Sequence, residues 1–118
     1  MAKTTEELVK IAVNAAEEKK SEDNVILNIG KVSVIADYFV IATANNPSQL
    51  QAITDNIDEK LAKEGIEAKS IEGNGNSNWV LMDYGDFIVH LFDRESRAFY
   101  DLERIWKDAD RVSTEELL

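Results

Sequence analysis

Cysteine is absent from the 118-residue chain, which excludes disulfides, thiolate zinc sites and cysteine nucleophiles. Histidine occurs once, at His90, so a histidine-rich metal centre is excluded too. Basic residues are scarce: 13 Lys and Arg stand against 23 Asp and Glu, a formal charge of −10. Such a field repels phosphate backbones and argues against direct DNA or RNA binding as the main activity. It suits a basic protein partner, although charge alone reads first as a solubility device. No apolar run approaches a membrane span, and the first ten residues, MAKTTEELVK, lack the apolar core of a signal peptide. The expectation is a cytoplasmic protein without membrane contact.

Hydrophobic residues make up 44% of the chain, which predicts a packed core rather than disorder. The length suits one domain over residues 1–118, with polar residues 110–118 expected as a frayed tail. Thr4 and Glu7 have the spacing of a capping box. Leu8, Ile11, Ala12, Ala15 and Ala16 follow as one helical stripe. Val25 to Ile29 reads as a strand, broken at Gly30. The run Tyr38 to Thr43 has no polar alternation and predicts a central strand buried on both faces. Asn46-Pro47 opens a second helix whose buried stripe is Leu50, Ile53, Ile57 and Leu61, and Gly65 ends it. Ile66 to Ile71 reads as an edge strand, Gly73 to Asn78 as a loop, and Arg97 to Trp106 as a helix with Leu102 and Ile105 inward. These elements predict a mixed α/β sheet flanked by helices.

The densest stretch is Trp79 to Trp106. Trp79–Met82 and Phe87–Phe92 predict a hairpin about a Tyr84-Gly85 turn, with Asp83 opposite Asp86 and Trp79 opposite His90. Alternation gives one face of Val80, Met82, Phe87, Val89 and Leu91, and another of Trp79, Leu81, Ile88, His90 and Phe92. The first face reads as ordinary core. The second is apolar yet carries a tryptophan and the histidine. A helix is the simpler cover for it; a protein partner is the alternative, since tryptophan among aliphatics is the composition of an interface centre. Glu72, Asp83 and Asp86 would form an acidic patch near one end of the sheet.

Conventional chemistry fits poorly. Asp83, Asp86 and His90 match no strong cation-ligand spacing, and no nucleophile elbow surrounds Ser77 or Ser96. The Gly73–Asn78 loop lacks the lysine and following helix of a phosphate cradle. Arg94, Arg97 and Arg104 lie among acids and read as surface pairs with Glu95, Asp101 and Glu103.

Several motifs together resemble the ribosomal silencing factor family, also called Iojap-related proteins. They are Asp37-Tyr38-Phe39-Val40-Ile41, Glu72-Gly73, the segment Trp79 to Asp86, Val89-His90-Leu91-Phe92, and the segment Arg97 to Trp106. The resemblance runs from the first helix to about Asp110. It implies a nucleotidyltransferase-like fold without the transferase's metal signature, and accordingly no enzyme activity and no cofactor. It implies binding to large-subunit ribosomal protein fourteen, a block on subunit joining, repression of translation, and a homodimer. Within that frame Trp79 and Leu81 are the expected apolar anchors, and Glu72, Asp83 and Asp86 the acidic contacts. Tyr84 and Gly85 would shape the turn, with Arg97, Tyr100 and Glu103 as secondary contacts and Asp37 organising the approach to the central strand. Two alternatives stay open: a large-subunit assembly factor using the same contact, and a metal-dependent nucleotidyltransferase-like enzyme.

Overall fold

The computed structural model describes residues 4–74 and 76–113. Met1 to Lys3, Gly75 of the glycine loop and the last five residues of the expected tail lie outside the described residues. The element order is α1 (Thr5–Glu18), β1 (Glu22–Asn28), β2 (Tyr38–Ala44), α2 (Pro47–Ala62), β3 (Ser70–Glu72), β4 (Trp79–Asp83), β5 (Phe87–Asp93), α3 (Arg94–Tyr100), α4 (Leu102–Ile105) and β6 (Asp110–Val112). One six-stranded sheet runs β3-β4-β5-β2-β1-β6. Only β2 and β5 pair in parallel; the other four pairings are antiparallel.

The helix starts follow local chemistry. Thr4 and Glu7 form the reciprocal capping box of α1. The Asn46 side chain accepts the Gln49 N–H at 2.8 Å, and Pro47 occupies the first helical position. The stripes of α1 and α2 pack on one face of the sheet, where Leu50, Ile53, Ile57 and Leu61 meet Val40, Val80, Met82, Val89 and Leu91. Every residue of β2 is buried, as its unbroken apolar run predicts.

The opposite face carries a smaller core of Leu27, Ile29, Phe39, Ile41, Ile88, Phe92 and Leu102, with Trp79, Leu81 and Trp106 at its margin. Here the structure departs from the expected single helix over Arg97 to Trp106. Asp93 caps α3 by accepting the Ser96 N–H at 2.7 Å, so the helix begins at Arg94. Asp101 takes a left-handed conformation, φ +46°, and breaks it before α4. That break turns Leu102 inward and leaves Ile105, expected inside, 67% exposed. Asp110, Arg111 and Val112 are not frayed. They pair with Asn28, Leu27 and Ile26 as a sheet edge.

The hairpin register also differs, by two residues. Trp79 pairs with Phe92, Leu81 with His90, Met82 with Val89, and Asp83 with Ile88 rather than Asp86. Gly85 is the reason. Its φ of +88° and the 3.2 Å bond from the Asp86 N–H to the Tyr84 carbonyl make a γ-turn, so Gly85-Asp86 are the turn residues. The Asp83 carboxylate fixes this geometry by accepting the Gly85 N–H at 2.8 Å. A two-residue shift preserves parity, and both expected faces survive intact.

Candidate interaction site

The sheet's second face is covered unevenly. Helix α3 packs over β5 and β2, and Trp106 of the following segment meets Phe39 edge to face at 5.1 Å. The part built by β4 and β3 lies beyond them. There Trp79, Leu81 and Asp83 alternate along β4 and remain half-buried. Glu72 pairs with Leu81 and Ser70 with Asp83 in the β3 ladder, so Glu72 lies beside Leu81 on this face. A shallow groove of about 190 Å³ is lined by Glu72, Gly73, Trp79 and Leu81. Three of the expected contact residues thus line the groove, the apolar Trp79 and Leu81 with the Glu72 carboxylate beside them, and Asp83 follows two residues on along β4. Gly73, at φ +89°, lies where any Cβ would stand 2.5 Å from the Trp79 carbonyl oxygen, so only glycine lets the loop close onto β4.

Trp79 is held from beneath and from the side. Its indole N–H donates to His90 Nδ1 at 3.1 Å across the diagonal of the hairpin. Its ring lies 5.0 Å from Phe92 and 4.7 Å from Tyr100. The indole can only donate, so Nδ1 must accept and the imidazole proton sits on Nε2. That Nε2 is buried without a partner. Burial against Phe39 and Trp79 pushes the His90 pKa down to about 4, and the ring is neutral at pH 7. His90 is therefore a support for the tryptophan rather than a general base or ligand.

Tyr100 joins this cluster, and Phe99, 79% exposed, extends it with an edge-to-face contact at 5.1 Å. Sequence reasoning did not single out Phe99; the aromatic pair Phe99-Tyr100 was its one signal. The remaining expected contacts sit elsewhere. The Tyr84 side chain is buried on the opposite face, stacked on Phe87, with its hydroxyl donating to Asp58 at 3.3 Å. Burial and the neighbouring Asp58 carboxylate push its phenol pKa well up. Asp86 is exposed in the turn, and Asp37 is joined to it through the backbone.

Arg97 and Glu103 bind each other at 2.8 Å, and Glu103 also holds Arg111 at 2.9 Å. Arg97 donates to Thr43 on β2 at 2.7 Å. These two residues fasten α3, α4 and β6 to the sheet, away from the β3–β4 groove. Arg94 pairs with Glu22 and Asp23 on β1, not with Glu95. Among the described residues no three His, Asp or Glu side chains converge on a possible metal position.

Comparison with known proteins gives a consistent result. The family described as "Ribosomal silencing factor during starvation" matches residues 2–118. The ribosomal silencing factor of Halalkalibacterium halodurans is 42% identical, with 98% of each chain covered. That of Bacillus subtilis is 40% identical over 86% of each chain. The chloroplast protein Iojap of Zea mays is 34% identical over 83% of this chain and 42% of its own. A crystal structure of a Chromobacterium violaceum protein superposes with a TM-score of 0.86 at 30% identity, covering 89% of this chain and 88% of that one. One from Bacillus halodurans gives 0.80 at 40% identity, covering 91% and 97%. The chain belongs to the ribosomal silencing factor family.

Proposed function

We propose that this protein represses translation in the cytoplasm by binding large-subunit ribosomal protein fourteen and sterically blocking subunit joining. A homodimer belongs to the same reading. The observation that carries it is the Trp79–Leu81–Glu72–Asp83 strip, a half-exposed apolar centre with carboxylates beside it, which α3 reaches at Tyr100 against Trp79. Buried anchors of this kind set residence time, while a net charge of −10 speeds encounter with a basic protein. Occlusion needs affinity and bulk alone, and the one histidine of the chain is already committed to holding Trp79.

The test is binding of the purified protein to isolated large subunits at several salt concentrations, followed by addition of small subunits. Binding that prevents whole-ribosome formation supports occlusion. Binding that leaves joining intact would replace silencing by an assembly role. Absence of binding at low salt would remove the ribosomal reading.

A further inference from the structure

The connection from β1 to β2 presents an apolar tip to solvent. Val34 is fully exposed, and Ile35 and Val32 are 60% and 46% exposed. Three aliphatic side chains within four residues are costly to leave in water. The loop holds its own shape: Val32 and Ser33 N–H groups donate to the Ile29 carbonyl, and the Ile35 N–H donates to Ser33 Oγ at 3.1 Å.

This tip stands at the end of the sheet where Asp83 terminates β4. The Asp37 N–H donates to the Asp86 carbonyl at 2.8 Å, tying loop and hairpin turn together. Between them lies an open depression of about 360 Å³ whose walls include Val34, Ile35, Asp37 and Asp86. Gly85 and Asp86 belong to its wall, and the Asp83 carboxylate at the end of the strip proposed above accepts the Gly85 N–H at 2.8 Å, so the two surfaces meet at this turn.

Resting on that reading, we infer that the Val32–Ile35 loop is a second docking element. It inserts into an apolar depression on a basic protein face of the large ribosomal subunit. A second copy of the chain is the poorer occupant. Self-association here would bring two sets of Asp37, Asp83 and Asp86 together on molecules that each carry −10, against Lys31 of the loop and Lys69 beside Gly85. The same carboxylates match a basic partner.

The experiment compares wild type, Val34→Ser, the double change Val34→Ser with Ile35→Ser, and Trp79→Ala for binding to purified large subunits. Val34→Ser should melt with the wild type, because Val34 contributes no buried surface; the double variant, which also trims the 60% exposed Ile35, should melt within a few degrees of it. The double variant should bind about tenfold more weakly, through faster dissociation. Wild-type affinity in that variant, alongside loss in Trp79→Ala, would overturn the loop's role and leave the proposed function standing. A variant that loses only self-association in sedimentation would assign the loop to a second copy and overturn the inference. Failure of wild type itself to bind would remove both.

Discussion

His90 makes stability depend on pH from about 7 down to 5, above the ordinary carboxylate range. In the folded chain burial lowers its pKa from the ordinary 6.5 to about 4. Well above pH 6.5 the ring is neutral in both states, and its linkage contributes nothing. Between 6.5 and about 4 the unfolded chain takes up a proton that the folded chain refuses, so stability falls as pH falls. Integrated from pH 7 to pH 5, the loss is about 2 kcal/mol, and the whole window is worth roughly 3 kcal/mol. That is a large share of a domain stability on the order of 5–15 kcal/mol. The assay is urea unfolding at pH 7, 6 and 5, followed by tryptophan fluorescence. The chain has a single histidine, so its imidazole protons can be followed directly by NMR. They should not titrate above pH 5. A stability that is flat from pH 7 to pH 5, or an imidazole titrating near 6.5, would refute the burial argument. His90→Phe should remove most of the slope between pH 7 and pH 5.

Other expectations follow from the same geometry. Trp79→Ala should weaken large-subunit binding by about 2 kcal/mol or more, and unchanged affinity in a folded variant would take Trp79 out of the site. Asp83→Lys should slow association and flatten its salt dependence; identical salt slopes for variant and wild type would dismiss the electrostatic role. Gly73→Ala forces a Cβ to within 2.5 Å of the Trp79 carbonyl at a φ of +89°. It should cost about 1–3 kcal/mol, read as a melting temperature several degrees lower.

The main elements and the two faces of the hairpin were legible because they are written in local pattern. The capping box at Thr4, the Asn46-Pro47 start and the unbroken run from Tyr38 each carry their own physical reason. The faces of β4 and β5 depend only on alternation, and so survived a two-residue error in register. The register itself depended on where Gly85 takes its positive φ, and alternation is silent about that. The break at Asp101 was hidden for a similar reason: a left-handed aspartate leaves no mark on helical periodicity. Arg97 and Glu103 looked like surface contacts in a charged stretch. Their partners, Thr43 and Arg111, come from distant positions, so the internal role of that pair belongs to the tertiary fold. In the candidate site, sequence placed Trp79, Leu81 and Asp83 on one face, but only the β3 ladder sets Glu72 beside Leu81. Phe99 came into view only when the short α3 turned it outward beside Tyr100.

The two outermost strands, β3 and β6, are three residues long. An exposed strand edge is a template for open-ended addition of further chains, and a short, charged one is a poor template. Arg111 sits in one of these strands and Glu72 in the other. Without β6, the Val25-Ile26-Leu27 stretch of β1 would become the rim of the sheet. A chain ending at Ala109 would keep the helices over the first face yet offer an apolar edge to its neighbours. Its signature would be a concentration-dependent thioflavin signal that the whole chain does not give. By pairing with β1, β6 takes that apolar stretch off the rim of the sheet.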